Sequence, residues 1–189
     1  LKYIISNKKS SQRMPNDDEF KKNFIENDVY SWKAKNKICL LERLENYNNK
    51  EKVDVENLIT NNELTVEHIM PQTLNKLWKD YLGSDYEQVY NKYVHTIGNL
   101  TLTGYNSSLS NKMFLEKRDM EKGFKESRLR LNKYISEIDK WTEEEIKTRA
   151  EKLYELSLNI WEYAKTDYIK KKPVENLFSL SDDEDFTNT

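Results

Sequence analysis

The two histidines of the chain, His68 and His95, both lie in its central third. His68 stands in the run Glu67-His68-Ile69-Met70-Pro71-Gln72. An imidazole with an ordinary pKa of about 6.5 can accept a proton near neutral pH, which is the work of a general base. An acid next to it on an extended segment points to the other face, unless a strand end re-aims one of the two. Pro71 cannot continue a ladder and so closes such a strand. Its end can then present Glu67 and His68 to one cavity. Further on, Asn106 and Asn111 stand where a helical pattern opens, and a helix start favours anions. A phosphate beside a carboxylate-bound divalent cation fits that set.

The elements that must position these residues are short. Leu64–Ile69 mixes β-branched residues with alternation and predicts a strand. Gly98 opens a second apolar run, Asn99-Leu100-Thr101-Leu102-Thr103, which Gly104 closes. Together they predict a two-stranded hairpin whose connection, about 73–94, holds two amphipathic stretches. The remainder reads as helix. Asn16-Asp17-Asp18-Glu19 has the spacing of a capped start, with Phe20, Phe24 and Ile25 behind it. A second helix is expected from about Lys33 to Asn46, and further helix from about Ser107. Thr142-Glu143-Glu144-Glu145 predicts the start of a long helix whose apolar face runs from Ile146 to Ala164.

Composition narrows the class. The chain has 189 residues, and Lys+Arg 31 against Asp+Glu 33 leaves a formal charge of −2, so no global basic field marks it for nucleic acid. Twelve Tyr, six Phe and four Trp supply material for a core. Four Gly and three Pro are few for an all-β protein. The single Cys39 excludes an internal disulfide or a thiolate zinc cluster. No run is apolar enough to span a membrane, and no secretory signal is visible, so the expected location is cytoplasmic. There is no glycine-rich phosphate loop. The fold expected is mainly α with a small central two-stranded β element. Residues 1–15 read as a lead-in from an absent N-terminal domain, and the chain as a piece of a longer protein starting at Leu1. Residues 16–165 read as the domain itself, and 166–189 as an acidic tail or linker.

A local basic patch could meet DNA. Between Lys112 and Lys133 lie eight basic residues against four acids, including Lys112, Lys117, Arg118, Lys122 and Lys125. A solvated helix face with ion pairs explains the same run without any ligand.

The ordered set Val66-Glu67-His68-Ile69-Met70-Pro71-Gln72, His95-Thr96-Ile97-Gly98-Asn99-Leu100-Thr101-Leu102, Asn106, Leu109-Ser110-Asn111, Phe114 and Lys117 resembles the HNH, or His-Me finger, nucleases with their ββα-metal core. It is most similar to the domain found C-terminally in GmrSD-type modification-dependent restriction enzymes and related phage-defence proteins. The resemblance runs over roughly residues 13–163 and includes Arg13-Met14-Pro15-Asn16-Asp17 and the helix from Trp141 to Trp161. It implies a DNA endonuclease in which His68 is the general base and Glu67 a metal ligand. Asn99 is then the residue that ties the strands and orients the base, and Asn106 or Asn111 supplies the other metal contact. His95 is either a second site residue or a brace for the loop before Gly98. One carboxylate and one amide oxygen are hard ligands, which suits a single Mg²⁺ or Mn²⁺. The resemblance further implies an absent nucleotide-hydrolysing sensor domain as partner. A catalytically silent DNA-binding module of the same fold, and a nuclease acting on RNA, remain alternatives.

Overall fold

The computed structural model describes Lys8 and residues 13–161. The expected lead-in over 1–15 is covered only in part, and the expected tail over 166–189 lies outside the described residues, as does Ala164.

The first helix, α1 (Asp17–Glu26), begins as its sequence predicts: Asn16 Oδ1 accepts from Glu19 N at 2.8 Å and Glu19 Oε2 accepts from Asn16 N at 3.0 Å. Arg13 grips the same Glu19 with both guanidinium nitrogens at 2.7 Å. Helix α2 (Ala34–Asn46) buries Leu40, Leu41 and Leu44, with Glu45 beside them. A short helix that the periodicity did not announce, α3 (Val55–Thr60), starts on Asp54, whose carboxylate accepts from Asn57 N. Six residues are too few for a hydrophobic period to be read.

Strand β1 (Thr65–His68) pairs antiparallel with β2 (Leu100–Thr103), matching Thr65 to Thr103 and His68 to Leu100. Between them run α4 (Lys76–Leu82) and α5 (Tyr86–Tyr93), as expected for the long connection. Trp78 is fully buried there while its neighbour Leu77 is largely exposed.

The expected helix from Ser107 is instead a chain of short turns. They are α6 (Asn106–Leu109), α7 (Phe114–Asp119), two 3₁₀ turns at Phe124–Glu126 and Arg130–Asn132, and α8 (Lys133–Ser136). Ser110 and Lys122 take positive φ, and each break lets the next apolar residue reach the core. At Gly123 an added Cβ would stand 2.5 Å from the Lys117 carbonyl, so the chain turns there only with glycine. Leu109, Phe114, Phe124 and Ile135 are thereby buried from separate turns.

The last helix, α9 (Glu143–Ile160), is the longest. Glu145 Oε2 accepts from both the backbone N and the hydroxyl of Thr142, closing its first turn. Helix α9 passes so near the β2 approach that a Cβ on Gly98 would lie 2.5 Å from the Ile146 carbonyl. Two apolar clusters result. One joins α1, α2 and β2 to α9 through Phe24, Leu41, Leu100, Leu102 and Leu153, and the other gathers Ile69, Met70, Trp78, Phe114 and Trp141. A lone hairpin is marginal in water, and these two clusters hold this one.

Candidate active site

The end of β1 opens onto a cleft of about 370 Å³ whose walls include Glu67, His68, Asn106 and Asn111. Four residues singled out in the sequence thus meet at one surface. Val66, Pro71, Gln72 and Ser110 of the quoted motifs also line it, and Tyr30, Thr73 and Ser107, to which no motif pointed, complete the wall.

His68 is buried except at this cleft. Its Nε2 lies 3.1 Å from His95 Nδ1, one nitrogen donating and the other accepting. Nδ1 has no protein partner among the described residues and is not sealed from solvent. Burial pushes the imidazole pKa down to about 3, helped by His95 and by the cations Lys117 and Lys37, with Asp28 opposing. The ring is therefore neutral at physiological pH, and its burial makes it a weaker proton acceptor than a free imidazole. Its orientation comes from far along the chain. The His95 carbonyl accepts from Val29 N and Tyr30 N, which brings the Tyr30 ring flat against His95 and edge-on against His68 at 4.4 Å. His95 thus both touches His68 and braces the loop after α1.

Glu67 is also buried, and its Oε1 accepts from Lys117 Nζ at 2.6 Å. Burial raises its pKa against the opposing pull of Lys117. The second oxygen, Oε2, has no side-chain donor among the described residues and is not sealed from solvent, while the His68 backbone N–H also favours the charged carboxylate. Lys117 Nζ also donates to the His68 carbonyl at 2.8 Å. One ammonium thus holds both the carboxylate and the backbone of the strand end.

This placement corrects the reading of Lys117 as a DNA contact. Its side chain has no exposed surface, and burial presses its pKa down. Arg118 is corrected likewise: it is nine-tenths buried and bound to Asp119, Asp139 and the Ile138 carbonyl. Both turn inward because they lie on the face of α7 that buries Phe114, while Leu115, Glu116 and Asp119 face solvent. Lys112, Lys122 and Lys125 are exposed, although Lys125 pairs with Asp119 at 2.6 Å and Lys112 donates to the Ser108 carbonyl.

Asn99 is fully buried and does not line the cleft. Its amide nitrogen donates to the Met70 and Val94 carbonyls, and its oxygen accepts from Met70 N and Trp141 Nε1. Both amide hydrogens and both oxygen lone pairs are thus spent on fixing the chain just past His68, the approach to β2 and the Trp141 ring. Its amide ties the end of β1 to the approach to β2 from behind the cleft wall.

Asn106 and Asn111 reach the cleft from either end of the α6 turn, so the geometry leaves both in play. Asn106 Nδ2 donates to the Val66 carbonyl at 3.2 Å, which leaves its oxygen without a protein donor. The anion argument from a helix start does not carry over, because α6 has only four residues. Among the described residues no group of three or more His, Cys, Asp or Glu side chains gathers around a common point. A cation here would rest on Glu67 Oε2, an amide oxygen of Asn106 or Asn111, and oxygens from water or substrate, a donor set suited to a hard divalent ion.

A two-stranded hairpin followed by a short helical turn thus carries a histidine and a carboxylate at the strand end, facing one cleft. Residues 14–156 match the family described as GmrSD restriction endonucleases, C-terminal domain. The chain belongs to that family, and the domain is of the restriction-endonuclease type. No curated protein matches it. No helix among the described residues is long and apolar enough to cross a membrane.

Proposed function

We propose that this domain is a divalent-metal-dependent HNH endonuclease that hydrolyses DNA phosphodiester bonds, the cytoplasmic effector of a phage-defence or modification-dependent restriction protein. The observation that carries the reading is the meeting of a neutral, cleft-facing His68 with the open oxygen of Glu67 in a cleft that also holds Asn106 and Asn111. His68 Nδ1 takes the proton of the water that attacks the phosphorus, while the Nε2 contact with His95 holds the ring in one orientation. Asn99 keeps the chain after His68 fixed through Met70. Glu67, with Asn106 or Asn111, would hold one Mg²⁺ or Mn²⁺. When bound, that ion supplies charge stabilisation to the scissile phosphate and the leaving 3′ oxygen. Lys112, Lys122 and Lys125 contact the DNA backbone. An N-terminal nucleotide-hydrolysing sensor is the proposed partner, within a layout of lead-in 1–15, nuclease 16–165 and tail 166–189.

One observation favours a second reading. The Glu67 carboxylate already carries a lysine on one oxygen, as a silent DNA-binding module would tolerate. Supercoiled plasmid incubated with the protein, with and without Mg²⁺ or Mn²⁺, separates the two. Metal-dependent nicking or linearisation that disappears in His68→Ala supports the nuclease. Binding without cleavage supports the silent module, and cleavage that survives in His68→Ala removes His68 as the base.

A further inference from the structure

A second cavity, of about 410 Å³, lies between α2, the turn at Arg130–Asn132, α8 and α9. Its wall carries Arg130, Lys133, Arg149 and Lys152 together with the rings of Tyr47 and Tyr134, and no carboxylate is among its lining residues. Some surface lysines are paired, Lys21 with Glu151, Lys140 with Glu144 and Lys147 with Glu143, and others are not. Arg130, Lys133 and Lys152 have no such carboxylate partner among the described residues. Glu45, buried behind the same turn, has both oxygens taken by Arg130 N and Leu131 N.

Arg149 gives this cavity its character. It is fully buried, and its terminal nitrogens donate to four carbonyls, those of Ile97, Gly98, Leu100 and Leu131. None of these acceptors bears a charge, and the Nε–H has no acceptor at all. A buried cation without a counter-ion is costly, and an anion in the cavity beside it would supply the missing charge, although the idle Nε–H is itself sealed from the cavity.

We propose that this cavity binds the phosphate group of a small phosphorylated molecule, with Arg149 beneath it and Arg130 and Lys152 at its rim. Guanidinium groups suit a phosphate's planar pairs of oxygens. The volume falls within the roughly 300–1,000 Å³ of small-molecule sites. A duplex carries its phosphates on a convex ridge, whereas a wall built over a fully buried arginine admits only a group small enough to enter. The site is separate from the nuclease cleft, and the proposal stands whether or not that cleft cuts DNA.

The test uses the full 189-residue chain with a chelator present, so that no divalent cation contributes. Pyrophosphate and inorganic phosphate are titrated by calorimetry and by thermal unfolding, since a ligand that binds only the folded state raises Tm. A short DNA duplex is titrated in parallel. The comparison protein is the double variant Arg130→Gln/Lys152→Gln, both exposed positions whose change leaves Arg149 and the fold in place. Saturable pyrophosphate binding that weakens roughly tenfold or more in the variant is the expected result. Absence of saturable binding, or equal binding by both proteins, overturns the proposal. Binding of the duplex alone, lost in the variant, also overturns it and makes the cavity part of a nucleic-acid surface.

Discussion

Lys117 and Arg149 are both buried cations, one at the exit of β1 and the other at the approach to β2, and the fold treats them differently. Lys117 faces a carboxylate: its ammonium pairs with Glu67 and takes the His68 carbonyl. Arg149 faces only backbone, spreading its fork over Ile97, Gly98, Leu100 and Leu131. A lysine is a compact charge on a flexible stem, and an opposite charge answers it with a single contact. A guanidinium is planar and always charged, so it can pin several carbonyls at once and fix a stretch of irregular chain. The first arrangement ends at an open cleft and bears on chemistry. The second lies in the core and bears on stability.

The largest effect should come from Arg149→Met. It leaves four buried carbonyl contacts unmade, and we expect urea unfolding to show a loss of about 3–5 kcal/mol or no folded protein. A variant as stable as the parent would break the contrast at its stronger end. Lys117→Met strands the Glu67 carboxylate beside the cleft, and we expect a loss of about 3 kcal/mol. Adding Glu67→Gln should restore much of that loss, since the stranded charge is gone. If the double variant is no more stable than Lys117→Met, the pair is not what holds the lysine.

A pH series sharpens the comparison at the cleft. His68 has an ordinary pKa of 6.5 when unfolded and about 3 in the fold. The unfolded chain therefore takes up a proton that the folded chain refuses, and stability is lost as pH falls from about 6.5 toward 3. Between pH 7 and pH 5 the expected loss from this group is about 2 kcal/mol, measured by urea midpoints. His68→Gln should flatten that dependence. The smallest effect belongs to the surface: Lys147→Ala removes an exposed pair with Glu143, and a change within about 0.5 kcal/mol is expected.

Much of this was legible in the residues. The capped starts at Asn16 and Thr142, the pairing of the two apolar runs into a hairpin, and the meeting of Glu67 and His68 at a strand end follow from local rules of capping, alternation and proline. Lys117 and Arg118 were not legible, because a basic residue on a short amphipathic turn reads the same whether the turn packs inward or outward. Tyr30 was harder still. It reaches His68 because Val29 N and Tyr30 N donate to the His95 carbonyl, across 65 residues of sequence, and no spacing announces such a contact, whereas His95 itself stood out as a site residue or brace.

What the chain's own order of residues determined is the local grammar: which segments extend, which coil, and which side chains have the chemistry to take a proton or hold a hard cation. Only the tertiary structure decided which charges lose their water. Burial turns His68 into a neutral base, joins Lys117 to Glu67, and leaves Arg149 among carbonyls with a nitrogen unsatisfied. The reason is physical. Desolvation depends on everything packed around a group, and those neighbours are brought in from distant parts of the chain.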